Sequence, residues 1–176
     1  MLKNLIKNLD LKNKKRNLLF FYNLLYNQVG DNMKIGLASD HRGYKLKEQI
    51  KKTLSKYYEV IDYGTDNEKS TDYPIYAYKL CDNFKKDKLD FGIVICGTGI
   101  GMSIACNKIK GIYCAKIDNI NDAKYAKEHN NANVLSLNEK ISLRKAIKMI
   151  NIFTETKTST EEKHQRRINL IKEREK

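Results

Sequence analysis

The sequence has no tryptophan, only one proline, and no closely spaced pair of cysteines. Its four cysteines, Cys81, Cys96, Cys106 and Cys114, include no pair with C-x-x-C spacing. That spacing is typical of zinc ribbons and redox dithiols, so its absence argues against both. In a chain of 176 residues with mixed helix and strand patterns, the four thiols are expected to be reduced rather than paired in disulfides.

A localised basic surface is also lacking, although the formal net charge is +13. Residues 33–156 hold 21 basic and 15 acidic side chains, and the excess is spread along the chain. No basic stripe alternates with aromatic residues, and no DNA-binding or RNA-binding module is recognisable. We therefore expect no nucleic-acid partner; a diffuse positive field attracts small anions such as phosphorylated sugars equally well.

The apolar patch at residues 18–26 is too short to cross a bilayer, which takes roughly 20 residues in a helix. It lies in a Lys/Asn-rich segment, residues 1–32, that we interpret as an N-terminal extension. A basic stretch before an apolar patch also resembles a targeting leader, but no A-x-A-like cleavage site follows. We expect a cytoplasmic protein without stable membrane insertion, and organellar targeting through residues 1–32 is the alternative.

From Met33 onward, strand and helix patterns alternate. Strands are predicted at 33–39, 59–63, 91–95, 112–117 and 133–137, and helices at 44–56, 74–86, 101–108, 121–128, 142–154 and 161–173. This alternation predicts an α/β fold, a three-layer αβα sandwich with a five-stranded parallel Rossmann-like sheet. The predicted domain covers residues 33–156, and a basic C-terminal helical tail covers residues 157–176.

A glycine-rich turn follows the third predicted strand, in the stretch Cys96-Gly97-Thr98-Gly99-Ile100-Gly101. It fails the phosphate-loop pattern, because no lysine stands where that loop requires one, and the dinucleotide pattern, because position 102 is Met102. Alternating glycines at a helix start allow a sharp turn whose amides face a crevice. Such a turn suits a phosphate or an oxyanion that develops during a reaction.

Cys96 stands at the carboxyl end of a parallel strand, where open α/β sheets bind ligands. A helix N-terminus favours the thiolate, which serves as a nucleophile or as a general base. Acyl transfer would need a positioned histidine, and His129 is available, but no other part of a hydrolase signature is present. Proton abstraction beside a carbonyl needs only a base, an oxyanion site and an acid.

These motifs, taken in order, resemble the type B ribose-5-phosphate isomerases and their hexose-6-phosphate relatives. The resemblance rests on Ser39-Asp40-His41-Arg42-Gly43, Gly64-Thr65, Thr71-Asp72-Tyr73-Pro74, the glycine turn, His129-Asn130 and His164-Gln165-Arg166-Arg167. It covers the chain from about Met33 to the C-terminus.

The resemblance implies an aldose–ketose isomerase that interconverts ribose 5-phosphate and ribulose 5-phosphate through a cis-enediol in the pentose phosphate pathway. Cys96 would be the base, Thr98 would assist the proton transfer, His129 would open the furanose ring and Asp40 would handle the hydroxyls. Substrate binding would fall to His41, Tyr73, Gly97, Gly99, Ile100, Gly101, Asn130, Lys140, Lys163, His164 and Arg167.

Family members need no metal or cofactor and form homodimers or dimers of dimers whose sites are shared between subunits. The same is therefore expected here. Lys140 and Lys163 stand where relatives carry arginine, and lysine keeps the charge but not the bidentate fork. Two alternatives remain open: a hexose-6-phosphate isomerase of the same family, and a non-catalytic flavodoxin-like module that binds a nucleotide or flavin.

Overall fold

The computed structural model describes residues 33–175, which form a parallel sheet covered by helices on both faces. The predicted N-terminal extension, residues 1–32, lies outside the described residues. The strands are β1 (Lys34–Ser39), β2 (Glu59–Asp62), β3 (Phe91–Cys96), β4 (Cys114–Lys116) and β5 (Val134–Asn138). The helices are α1 (Tyr44–Leu54), α2 (Tyr73–Asn83), α3 (Ile100–Cys106), α4 (Ile120–Glu128), α5 (Leu143–Glu155) and α6 (Glu162–Arg174).

The five strands are all parallel, in the order β2-β1-β3-β5-β4. Right-handed crossovers then put α1 and α4 on one face and α2 and α3 on the other, and α5, which follows the last strand, lies on the face of α1 and α4. The contacts agree, because α5 packs against α1 and α4 while α2 packs against α3. The predicted three-layer sandwich with its C-terminal helix is confirmed.

The middle strand of the sheet, β3, is buried along its whole length. All six residues of Phe91–Cys96 are buried, as expected of a strand covered on both faces. The outer strand β4 is the shortest and covers only three of the six residues predicted from its apolar pattern. Among the described residues, no helix is long and apolar enough to span a membrane.

Because the strands are parallel, the sheet has two chemically different edges. We call the edge where the strands end, marked by Ser39, Cys96 and Asn138, the carboxyl edge, and the opposite one, marked by Lys34, Phe91 and Val134, the amino edge. Helices α1 to α4 each begin near the carboxyl edge and end near the amino edge. This direction decides where every predicted site residue lies.

Candidate active site

At the carboxyl edge β1 and β3 lie side by side, and we call the region beyond their ends, next to Asp40 and Cys96, the crevice. From these two strands the chain continues in opposite directions, to β2 on one side and to β5 and β4 on the other. Such a switch point is where open α/β sheets bind ligands, because the connecting loops diverge there. Asp40 follows β1 and Cys96 ends β3, and the Asp40 amide donates to the Ile95 carbonyl at 3.3 Å.

The Cys96 thiol faces the glycine turn that follows it. The Gly99 amide donates a hydrogen bond to Cys96 Sγ at 3.2 Å. The side chain is only 5% exposed and also contacts the apolar cluster under α2 and α3. The sulfur is thus enclosed, and the Gly99 amide points at it.

The turn itself depends on Gly99, whose φ of 78° lies in the left-handed region. A Cβ on Gly99 would lie 3.0 Å from the Leu137 carbonyl carbon, so the site also lacks room for a side chain. Two side chains stabilise the turn: Ser136 Oγ donates to the Gly99 carbonyl at 2.5 Å, and Thr98 Oγ1 accepts from the Ile100 amide at 3.2 Å. Thr98 and Ile100 are both exposed at this edge.

The loop after β1 is organised by the buried carboxylate of Asp40. Its Oδ1 accepts from the amides of Arg42 and Gly43, each at 3.0 Å, just before α1 begins. The next residue, His41, is half-buried, and its Nδ1 lies 3.2 Å from both the amide nitrogen and the carbonyl oxygen of Thr71. The Thr71 backbone thus fixes the imidazole next to the loop that leads into α2.

Tyr73, the first residue of α2, lies against the glycine turn. A Cβ added to Gly101 would lie 2.7 Å from Cζ of the Tyr73 ring. The ring is 38% exposed, so it borders the crevice instead of filling the core. The predicted residues Asp40, His41, Tyr73 and Cys96 are therefore brought together at one edge.

An ion pair that the sequence did not predict crosses the same edge. The Arg42 guanidinium binds the Glu139 carboxylate, with Nε 3.1 Å from Oε2, and its side chain passes 3.8 Å from where a Gly97 Cβ would be. The Glu139 amide in turn donates to the Cys96 carbonyl at 3.0 Å. Lys140 follows at this edge and is exposed. Arg42 lies inside the Ser39–Gly43 motif, which was the one available signal.

The remaining predicted residues lie at the amino edge. His129 and Asn130 follow the end of α4, just before β5 begins, and Cys96 pairs in register with Asn138 at the other end of β5. The four residue steps from Val134 to Asn138 span about 13 Å, so the described chain keeps His129 far from Cys96. His164 joins His129 at the amino edge, where the two rings stack at 4.2 Å.

Lys163 and Arg167 lie on α6, the helix that also carries His164. Both are exposed, and Lys163 pairs with Glu161 at 2.7 Å. Within one chain the predicted site residues therefore form two separate groups, one at each edge of the sheet, which we call the two half-sites. Among residues 33–175, no group of three or more His, Cys, Asp or Glu side chains is arranged to hold a metal ion.

Comparison with known proteins identifies the family of the chain. Residues 35–171 match the family described as Ribose/Galactose Isomerase. The chain belongs to that family. The resemblance of the motifs is thereby confirmed, and the protein is a sugar-phosphate isomerase by family.

Two solved structures from the isomerase family are closely similar. A ribose 5-phosphate isomerase from Thermotoga maritima is 43% identical, with a TM-score of 0.76 over 80% of this chain and 98% of that one. Ribose-5-phosphate isomerase B from Mycoplasma genitalium with bound ribulose-5-phosphate is 37% identical, with a TM-score of 0.75 over 81% and 96%. The galactose-6-phosphate isomerase subunit LacB of Clostridium acetobutylicum is 36% identical over 80% of this chain and 83% of its own.

Proposed function

We propose that this isomerase interconverts ribose 5-phosphate and ribulose 5-phosphate, with Cys96 as the general base. The observation that carries the proposal is the Gly99 amide directed at Cys96 Sγ, in a crevice at the carboxyl edge. The T. maritima and M. genitalium relatives, both called ribose 5-phosphate isomerases, support the choice of substrate.

The reaction moves one hydrogen between neighbouring carbons. The Cys96 thiolate removes the proton from C2 of the open-chain aldose, the C1 carbonyl oxygen gains a proton, and a cis-enediol forms. The thiol then returns its proton to C1 while the C2 hydroxyl loses one, which leaves a ketose and regenerates the thiolate. Negative charge on the enediolate would be stabilised by amides in the first turn of α3, where the helix provides no acceptors of its own.

The other residues are each proposed to contact a different part of the sugar phosphate. Thr98, at the start of the turn, would assist the proton transfer, and the buried carboxylate of Asp40 would accept hydrogen bonds from hydroxyls. Tyr73 would line the pocket and Asn130 would bind the sugar. The phosphate would be bound by the cationic or polar side chains of His41, Lys140, Lys163 and Arg167, to which the family resemblance adds His164.

We further propose that a second copy of the chain completes each site. His129 is the residue expected to open the furanose ring, and it lies at the amino edge, away from Cys96. An exposed apolar face beside the crevice gives the second copy a surface to cover, since Ile75 on α2 and Ile100 and Ile104 on α3 are each more than half exposed. A homodimer in which one amino edge meets the partner's carboxyl edge would unite the two half-sites.

Substitution of Cys96 tests the base. Cys96→Ser and Cys96→Ala should each reduce kcat on ribose 5-phosphate by about 10³-fold, since a general base contributes roughly that factor. Both variants should keep the wild-type far-UV circular dichroism and melting temperature, because serine and alanine fit the space of cysteine. A Cys96→Ala enzyme with wild-type kcat would rule out the cysteine base.

A six-carbon substrate is the second candidate, favoured by the 36% identity to the galactose-6-phosphate isomerase subunit. Measuring kcat/KM on ribose 5-phosphate and galactose 6-phosphate side by side decides between them. The proposal predicts a preference for the pentose; a reversed ratio would assign the chain to hexose phosphates and leave the Cys96 chemistry intact.

A further inference from the structure

Three aromatic rings form a stack at the amino edge, with His129 in the middle. The Tyr125 and His129 rings lie 4.8 Å apart at an interplanar angle of 12°, and the His129 and His164 rings lie 4.2 Å apart at 9°. Both faces of the His129 ring are therefore covered. Only the ring edge, which carries the two nitrogens, is left to meet a ligand.

The backbone builds this stack from two distant segments. Tyr125 and His129 are four residues apart, so they lie on one side of α4. The connection between α5 and α6 is tied to the end of α4, because the Ser159 amide donates to the Glu128 carbonyl at 2.7 Å and Thr158 Oγ1 donates to Asn131 Oδ1 at 2.8 Å. Helix α6 begins directly afterwards and carries His164 on its first turn.

The two histidines differ in exposure. His164 is only 7% exposed, whereas the His129 side chain is 37% exposed. A phosphate ligand must reach solvent or substrate with a ring nitrogen, and the more enclosed ring of the pair is poorly placed for that. The outer ring of the stack, Tyr125, is 46% exposed.

Charges around the stack favour a neutral His164. Burial lowers the pKa of His164, and the neighbouring His129, Lys163 and Arg167 lower it further, while Glu161 opposes them. Glu128 Oε2 lies 3.7 Å from His129 Nε2. Two stacked imidazolium rings would repel each other, and a neutral His164 avoids that repulsion.

We infer that His164 is a positioning residue that, together with Tyr125, holds the His129 ring for furanose opening, and that it is not a phosphate ligand. This inference rests on the proposed function and changes the role that the family resemblance implies for His164. In the ring-opening step that His164 supports, His129 protonates the furanose ring oxygen and the bond from that oxygen to C1 breaks. The C1 hydroxyl gives its proton to water, which leaves the open-chain aldehyde.

The forward and reverse reactions distinguish a positioning role of His164 from phosphate binding by His164. Ribose 5-phosphate is mostly cyclic and must be opened, whereas ribulose 5-phosphate stays open because its C5 oxygen carries the phosphate. In His164→Ala, the forward rate should stop rising with enzyme concentration and fall about tenfold or more below wild type at high enzyme, as spontaneous ring opening becomes limiting. The rate of the reverse reaction, from ribulose 5-phosphate, should stay proportional to enzyme concentration and within about threefold of the wild-type rate.

Two more variants make the test specific. His164→Phe keeps a flat ring on His129 and should preserve the forward rate within about threefold, because stacking does not need the nitrogens. Tyr125→Ala removes the ring on the opposite, exposed face and should reproduce the forward-specific loss even where His164→Ala fails to fold.

Three results would overturn the inference. One is a KM that rises equally for both substrates in His164→Ala and His164→Phe, which is the behaviour of a lost phosphate ligand. Another is a forward rate in His164→Ala or Tyr125→Ala that stays proportional to enzyme concentration, and the third is a forward-specific loss in His164→Phe as large as that in His164→Ala. A wild-type chain without activity on ribose 5-phosphate would instead refute the proposed function, so the two failures are distinguishable.

Discussion

At the scale of single residues, Gly101 shows how closely the crevice is packed. Gly101→Ala would put a Cβ 2.7 Å from the Tyr73 ring, so the ring must move. We expect a loss of about 1 to 2 kcal/mol in the free energy of unfolding, as for other overpacked sites. Urea denaturation measures it.

Gly97→Ala is the matched control, because the nearest heavy atom to its Cβ is an Arg42 side-chain atom at 3.8 Å, an ordinary contact. It should change the free energy of unfolding by about 0.5 kcal/mol or less. In a Tyr73→Ala background the cost of Gly101→Ala should largely disappear. Equal stability of the two single alanine variants would contradict the predicted contact.

The sequence predicted some of these residues and not others. Cys96 and the glycine turn were predictable, because a thiol followed by alternating glycines at a strand end is an unusual local pattern. Ser136 was not, since one serine in an apolar strand gives no sign that its hydroxyl, 0% exposed, binds the Gly99 carbonyl 37 residues away. The Arg42–Glu139 pair was missed for the same reason: it joins residues 97 positions apart.

At the scale of elements, a buried ion pair fastens α1 to the end of β2. Lys47 is 1% exposed, and its Nζ lies 2.5 Å from Asp62 Oδ2. Lys51 Nζ binds the same oxygen at 2.8 Å, and the Gly64 amide donates to Asp62 Oδ1 at 2.9 Å. The pair therefore also sets the direction of the chain after β2, in the loop that leads to Thr71 and His41.

This pair predicts a dependence of stability on pH. Burial acts to raise the pKa of Asp62, but hydrogen bonds from Lys47, Lys51 and the Gly64 amide outweigh it, and the pKa is lowered. A lowered folded-state pKa contributes stability above the unfolded value of about 3.9, and that stability is lost as pH falls through the folded value. Asp62→Asn should thus cost about 3 kcal/mol at pH 7 and progressively less below about pH 4.

Urea denaturation at pH 7 and pH 3 checks the sign. Glu59→Gln is the control, because its pair with Lys34, at 3.0 Å, is about 40% exposed on both sides and should contribute about 0.5 kcal/mol. An Asp62→Asn cost that did not shrink at pH 3 would show that the carboxylate charge is not what stabilises this junction.

The helices and strands were easier to predict than the ion pair between Lys47 and Asp62. The change of period between apolar strands and amphipathic helices predicted all five strands and all six described helices, because a sheet covered on both faces forces that pattern on the sequence. It did not predict that Lys47 is buried. A lysine in an amphipathic helix is expected to face solvent, even when it lies one turn before a buried residue such as Ile50. Its burial follows only from the carboxylate at the end of β2, which lies beside it.

At the scale of the whole molecule, the direction of the strands divides the predicted site. Residues that follow strands gather at the carboxyl edge, and residues that follow α4 or begin α6 gather at the amino edge. Motif order along the chain indicated the family, and that resemblance implied a site shared between subunits; which residues lie at which edge follows from strand direction. A parallel sheet cannot bring Cys96 and His129 together within one copy, and two copies related by a twofold axis can.

Mixing two inactive variants tests this account most directly. Cys96→Ser and His129→Ala, each purified alone, should be nearly inactive on ribose 5-phosphate. After the two are unfolded together and refolded, half of the dimers are mixed, and each mixed dimer has one intact site of two. The account predicts recovery of about one quarter of wild-type activity; a mixture that stays as inactive as its components, although mixed dimers have formed, would contradict it.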